Sequence, residues 1–280
     1  MKNYFIVIVL AALFVGCAKN RSVSPELRRL EQRVSRLEGE RASRIELSSA
    51  QPLSGLSETI VQQVAKHKYS VVEIIADPSV VKNSGTGFIY NRDGIILTND
   101  HLVRVTVRKP NGEIKTYYKD KITIKLYDGR VVTGTLIGID PDTDLAAIKV
   151  EMEDLPEPLQ LSSRRVQQGE LTYSIGHPRG LSFSVEWRPI SATYRQGSLK
   201  GSLLHQIDRG FFVGNSGGPV LDLTGKVIGM VYSTLNFKDK TDPNRTIVYA
   251  AVGWAIPSET LIKLAPELIN GKHKITGFIK

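Results

Sequence analysis

The sequence predicts an all-β fold, and three observations carry that expectation. From Tyr69 onward, short runs rich in β-branched and aromatic residues recur along the chain. Compact turn strings such as Asn91-Arg92-Asp93-Gly94, Tyr127-Asp128-Gly129-Arg130 and Asp222-Leu223-Thr224-Gly225-Lys226 separate several of them. Within this region only 258–270 reads as helix. Many short strands split by turns, with little helix, describe a sandwich or barrel.

The elements follow in order. Met1-Lys2-Asn3 is a short positive start, and 4–15 is an unbroken apolar run. Roughly 20 apolar residues are needed to cross a bilayer as a helix, so this run reads as the core of an export signal. It ends in Leu13-Phe14-Val15-Gly16-Cys17, which resembles the lipobox of bacterial lipoproteins, with Phe14 where an aliphatic residue is usual. On that resemblance 1–16 is a signal peptide and Cys17 carries a lipid. The alternative is an ordinary signal peptide beside an incidental cysteine. Cys17 is the only cysteine, so no intramolecular disulfide can form. Ala18 follows it, and by the same resemblance the lack of Asp there favours the periplasmic face of the outer membrane.

Residues 17–56 read as a tether. Ser24-Pro25-Glu26 has the chemistry of a helix start: a capping hydroxyl, proline at the first helical position, then an acid in the first turn. Leu27, Leu30, Val34 and Leu37 follow at three-four spacing, enough for a short amphipathic helix. Residues 48–55 read as linker, and 57–68 as a second short helix opening the domain of 57–280. The expected strands are 71–75, 87–90, 94–98, 122–127, 130–139, 146–150, 171–175, 219–223, 227–231 and 247–256.

The composition is ordinary for a globular protein, 41% hydrophobic and 23% charged. The formal charge is +9, or +8 once Lys2 leaves with the signal peptide. Such a balance suits a solubilising surface or proximity to anionic lipid. No basic run is interleaved with aromatics, so nucleic acid is not an expected partner. His67, His177, His205 and His273 lack metal-ligand spacing and read as structural or surface residues, and no phosphate loop or redox motif is present. No metal or cofactor is expected.

Three strings carry chemistry: Leu97-Thr98-Asn99-Asp100-His101-Leu102-Val103, Asp140-Pro141-Asp142-Thr143-Asp144-Leu145-Ala146, and Gly214-Asn215-Ser216-Gly217-Gly218-Pro219. The last is the most informative. Its glycines let the chain turn tightly around a nucleophile and expose backbone N–H groups, and those of Gly214 and Ser216 would converge on a developing oxyanion. The order His, Asp, Ser is that of chymotrypsin-like proteases.

The fuller strings resemble the HtrA/Deg family of exported proteases. They are Gly85-Thr86-Gly87-Phe88-Ile89, Leu97-Thr98-Asn99 before His101, Asp144-Leu145-Ala146, Ser174-Ile175-Gly176-His177-Pro178, the string around Ser216, and Gly253-Trp254-Ala255-Ile256-Pro257. The resemblance runs from about 57 to 270 and implies two six-stranded antiparallel barrels with a triad of His101, Asp144 and Ser216 between them. It selects Asp144 over Asp140 and Asp142, which read as turn formers. It also implies polypeptide substrates and a trimeric assembly, and it suggests that Phe211 and Thr234 line the substrate pocket.

Departures from the family pattern are Arg209-Gly210-Phe211-Phe212-Val213 before the nucleophile and a long basic stretch at 104–121. The sequence ends soon after the protease region, so the PDZ domain that many relatives carry is not expected. With no acid nearer the serine than Asp208, and with two rings at 211 and 212, the pocket should be dry and should reject Lys and Arg. Trypsin-type zymogens are switched on when a freed N-terminal amine pairs with an acid just before the serine. Asn215 stands there instead, so control would fall to ordering of 209–213 and 233–245.

Two other readings share the same serine. A nucleophile elbow of an α/β-hydrolase, with Asp242 and His273 as partners, needs a helix after Ser216, whereas Gly217-Gly218-Pro219 leads into a strand-like run. A catalytically silent, membrane-tethered binding module on the same fold would keep the triad but hold its oxyanion hole collapsed.

Overall fold

The computed structural model describes residues 26, 29, 32–36, 55–75, 84–197, 199, 201–238, 246–271 and 278–279. The chain divides into two compact units, Met1–Glu58 and Thr59–Lys280. In the first, the described residues 26, 29 and 32–36 are helical, on the stretch expected to be an amphipathic helix. Cys17 and the signal segment lie outside the described residues. Among the described residues no helix is long and apolar enough to cross a membrane.

Helix α1 (55–67) runs into a short turn and then the first strand. The first barrel comprises β1 (Val71–Ile75), β2 (Ser84–Ile89), β3 (Ile95–Thr98), β6 (Lys121–Lys125), β7 (Val131–Asp140) and β8 (Leu145–Lys149), closed in the order β1-β2-β3-β8-β7-β6. Closure leaves no free sheet edge, which is the usual remedy for exposed strand hydrogen bonds. Alternate residues point inward, so Val72, Ile74, Ile89, Ile96, Ile124 and Ile148 fill the centre.

The second barrel is β9 (Leu171–Gly176), β10 (Ser184–Gln196), β11 (Leu203–Asp208), β12 (Pro219–Leu221), β13 (Val227–Lys238) and β14 (Thr246–Pro257), closed in the order β10-β11-β14-β13-β12-β9. Ile190, Ile207, Val220, Ile228 and Val231 belong to its core. A further cluster takes side chains from both barrels, among them Phe88, Leu97 and Leu145 from the first and Tyr173, Leu221 and Trp254 from the second. The barrels therefore meet over a continuous apolar seam. Helix α2 (Ser258–Ile269) closes the domain with Leu261, Ala265 and Leu268 buried, and Ser258 Oγ donates to the Ser162 carbonyl at 2.6 Å.

Three features differ from the sequence expectation. The basic 104–121 stretch is a hairpin, β4 (Arg104–Arg108) and β5 (Ile114–Lys119), carrying β15 (Phe278–Ile279) in parallel along β5. Its side chains are mostly exposed, so the short alternation Arg104-Val105-Thr106-Val107-Arg108 covers no buried face and is masked by the basic residues around it. Strands β10 and β11 were likewise not expected. Residues 233–238, assigned to a control loop, continue β13 and pair with β14 through Lys238↔Thr246, while 239–245 lie outside the described residues. Register shifts at Val231/Ser233 and Thr234/Leu235 interrupt the pattern that would have shown one long strand.

Candidate active site

The first barrel supplies His101 and Asp144. His101 sits in a single 3-10 turn, Asp100–Leu102, directly after β3. Asp144 occupies the tight corner between β7 and β8 with φ of 55°, a left-handed conformation that Asp tolerates better than most residues. That corner aims its carboxylate at the histidine. The His101 backbone N–H donates to Asp144 Oδ1 at 2.9 Å, and the Nδ1–H donates to Oδ2 at 2.7 Å. An ionised carboxylate only accepts, so the proton resides on Nδ1 and leaves Nε2 with its lone pair. Asn99 Nδ2 and the Asp100 N–H both donate to the Asp144 carbonyl, at 3.0 and 3.2 Å, bracing the corner from behind. Asp140 accepts the Asp142 N–H at 3.1 Å, a turn-forming role away from the histidine.

The second barrel supplies the serine. Gly214 has φ of +104°, and any Cβ there would be driven into the His177 carbonyl oxygen, so only glycine fits. Thr86 of β2 clamps the loop across the barrel junction. Its N–H donates to the Ser216 carbonyl at 2.8 Å, and its hydroxyl donates to the Gly214 carbonyl at 2.7 Å. Because the single Thr86 hydroxyl hydrogen is committed to Gly214, the hydroxyl accepts from His177 Nδ1–H at 3.0 Å. Burial pushes the His177 pKa down to about 3, so the ring is neutral at physiological pH. Among the described residues, the N–H groups of Gly214 and Ser216 have no hydrogen-bond partner. The Ser216 hydroxyl donates to the Tyr232 carbonyl at 3.3 Å.

His101, Asp144 and Ser216 line one cleft of about 390 Å³, together with Phe211, Val213 and Thr234. The sequence-derived pocket residues are thus placed beside the serine. Thr234 Oγ1 donates to the Phe211 carbonyl at 2.6 Å, and the Phe211 ring is buried against the Arg188 guanidinium, 4.7 Å from the ring centre. Phe212 lines the same cleft but is 55% exposed, so of the two rings only Phe211 is buried. Glu186 and Arg188 were missed by sequence reasoning. Their only signal was two charges at alternate positions, which places them on one face of a strand once β10 is recognised.

The remaining histidines have structural surroundings. His67 Nδ1 lies 3.1 Å from the Tyr173 hydroxyl, and His205 is buried edge-on to Tyr194. Among the described residues no cluster of three or more His, Cys, Asp or Glu could hold a metal. Asp242 and His273 lie outside the described residues. Ser216 is followed by β12, not by the helix that a nucleophile elbow requires.

Two closed six-stranded antiparallel barrels, with His, Asp and Ser gathered in a cleft at their junction, define a trypsin-like architecture. Residues 85–230 match the trypsin-like peptidase domain family. The probable periplasmic serine endoprotease DegP-like of Chlamydia trachomatis is 34% identical over 208 residues, covering 70% of this chain and 35% of that protein. Serine endoprotease DegS of Escherichia coli is 31% identical over 203 residues, covering 71% of this chain and 52% of that protein. Among solved structures, the HtrA-type protease AlgW with tripeptide superposes with a TM-score of 0.60 at 27% identity, over 76% of this chain and 64% of that one. The chain belongs to the trypsin-like peptidase family, among its HtrA-type members. It spans about a third of the length of the DegP-like relatives it matches.

Proposed function

We propose that this chain is an exported, lipid-anchored serine endopeptidase that hydrolyses peptide bonds of unfolded polypeptides. Ser216 Oγ attacks the scissile carbonyl. His101 Nε2 takes its proton and later delivers it to the leaving amine. Asp144 holds the imidazole in the required tautomer and stabilises the imidazolium. The N–H groups of Gly214 and Ser216 receive the oxyanion. The observation that carries this reading is the His101–Asp144 pair, held by two hydrogen bonds of 2.9 and 2.7 Å in the same cleft as a serine flanked by two unpartnered amides. Ser216→Ala should lower casein cleavage by several powers of ten, since a triad works as a unit. Near-normal cleavage would overturn the assignment.

Anchoring rests on the lipobox-like run ending at Cys17. Several acyl chains on one cysteine exceed the two hydrophobic signals that stable anchoring needs. Cys17→Ser should move the protein from the membrane to the soluble fraction. Unchanged fractionation would shift the anchor to basic residues, and high salt would then release the protein.

A second reading, a catalytically silent binding module, is favoured by one observation. The Ser216 hydroxyl donates to Tyr232 rather than to His101. A rotation about the Ser216 Cα–Cβ bond separates the two arrangements. Labelling of Ser216 by a fluorophosphonate supports the peptidase, whereas a folded protein that resists the probe supports the silent module.

A further inference from the structure

We propose that Glu186 and Arg188 are positioning residues that hold the nucleophile loop and the pocket floor as one unit, replacing the N-terminal amine used by trypsin-type enzymes. The inference rests on the reading of Ser216 as nucleophile.

Glu186 and Arg188 lie two apart on β10, so both side chains point the same way, here beneath the 209–215 loop. Glu186 Oε2 accepts from Arg188 Nη2 at 2.8 Å and from Asn215 Nδ2 at 2.9 Å. A carboxylate cannot donate, so the Asn215 amide nitrogen must face it. Arg188 Nη1 donates to the Gly210 carbonyl at 3.0 Å, and its guanidinium lies against the Phe211 ring. Arg188 is 7% exposed and Asn215 2%.

The pair therefore grips the loop at both ends, at Gly210 and at Asn215. Between those grips lie Phe211, which closes the pocket, and Gly214, whose N–H serves the oxyanion. In a trypsin-type zymogen the group before the serine is an acid that waits for an ammonium released by cleavage. In this chain that group is an amide, and its partner is a carboxylate already built into β10 and neutralised by Arg188. The loop then needs no proteolytic event to be held. Charge-assisted bonds in a buried setting suit this task, because a misaligned carboxylate there would be left exposed to a low dielectric.

The test reverses the polarity of one bond. Asn215→Asp sets two carboxylates against each other at the 2.9 Å contact, and Glu186→Gln in that background restores a donor–acceptor pair. Peptide hydrolysis and fluorophosphonate labelling of Ser216 are measured on the full-length protein from pH 5 to 8, with thermal midpoints as a check on folding. Misplacing a catalytic group by about 1 Å can cost roughly a hundredfold in rate. Asn215→Asp should thus lose at least tenfold in kcat, with KM within threefold of the parent. Its deficit should shrink toward pH 5, as the opposed carboxylates come to share a proton. The double variant should return to within threefold of the parent and lose that extra pH dependence.

Deficits that multiply in the double variant, or a single-variant deficit that is flat with pH, would overturn the proposal while leaving the peptidase reading intact. A parent protein that neither cleaves nor labels would overturn both. If Asn215→Asp fails to fold, Asn215→Ser, whose hydroxyl is too short to reach Glu186, takes its place. A tenfold fall in kcat at constant KM supports the proposal, and an unchanged kcat overturns it.

Discussion

Asp100, the neighbour of His101, is fully buried in the turn that carries the histidine. Its Oδ2 lies 3.1 Å from Arg104 Nη1, a close ion pair that is not aligned as a hydrogen bond, and Arg104 is itself 40% exposed. Burial pushes the Asp100 carboxyl from 3.8 up to about 6; Arg104 pulls it back, Asp144 pushes it further, and Tyr118 and His101 lower it slightly. A folded pKa above the unfolded one means that the native state holds the proton more tightly. Stability from this group is therefore complete below about pH 4 and lost as pH rises through about 6. The shift of about two units corresponds to roughly 3 kcal/mol at 1.4 kcal/mol per unit, and solvent around Arg104 trims this to about 2 kcal/mol. Asp100→Asn removes the titration and keeps the shape. Urea unfolding of parent and variant between pH 4 and 7 isolates the effect, because every other group contributes to both curves. The variant should gain about 2 kcal/mol relative to the parent across that window. Curves parallel to within about 0.5 kcal/mol, the ordinary reach of a surface change, would refute the reasoning.

His177 gives the opposite sign. Burial depresses its pKa to about 3, so the unfolded chain takes up a proton below about 6.5 that the native state refuses, and stability falls as pH drops through that interval. His177→Asn should therefore soften acid unfolding in the same urea series; an unchanged acid limb would contradict it. Gly214→Ala forces a side chain into a left-handed backbone and onto the His177 carbonyl, and should cut Ser216 labelling by about a hundredfold, the usual loss for one oxyanion donor. Labelling at the parent rate would show that the loop relaxes without cost. A peptide library should show cleavage after Val, Ala or Ile at least roughly tenfold better than after Lys or Arg, because the pocket floor offers the Phe211 ring with the Arg188 cation behind it. A preference for Lys or Arg would contradict that pocket.

The legible parts of the fold were those where one physical rule dominates. Strands buried on the barrel wall read directly, as Val71–Ile75 and Ile95–Thr98 do, because burial demands a run of β-branched and aliphatic residues. The strings around His101, Asp144 and Ser216 read because tight backbone geometry restricts the residues allowed there. What stayed hidden has a common cause. In β10 the residues Glu186 and Arg188 satisfy each other's charge, and in sequence such a pair looks like any polar loop. The hairpin at Arg104–Lys119 is mostly exposed, with Tyr118 buried, so the polar-apolar alternation of Arg104–Arg108 marks no buried face and reads as a basic surface stretch. Polar partners are set by tertiary placement, and one chain's sequence does not encode that placement locally.

The site spans two barrels that fold around separate cores, so their alignment to within an ångström needs an explanation. The apolar seam supplies adhesion but little direction, since hydrophobic contact is non-directional. Direction comes from Thr86. It lies in β2, which pairs with β3, the strand that ends at the His101 turn. From there its N–H and hydroxyl fix the carbonyls of Ser216 and Gly214 at 2.8 and 2.7 Å. The same strand system thus carries His101 and aims Ser216. His177 completes the arrangement from the second barrel by donating to Thr86, which leaves the hydroxyl hydrogen only one direction to point. The geometry of the proposed catalytic site is accordingly held from two sides. Thr86 and His177 fix the backbone of the loop across the junction, and Glu186 with Arg188 fixes its side chain and its pocket from within the second barrel. The carbonyls of Val213 and Phe212 are held as well, by the Arg179 N–H at 2.8 Å and the Asn215 N–H at 3.1 Å, so the freedom left to the loop lies in the exposed Phe212 and Val213 side chains. Those two side chains are where a substrate or partner can meet the site without breaking the backbone network that positions Ser216.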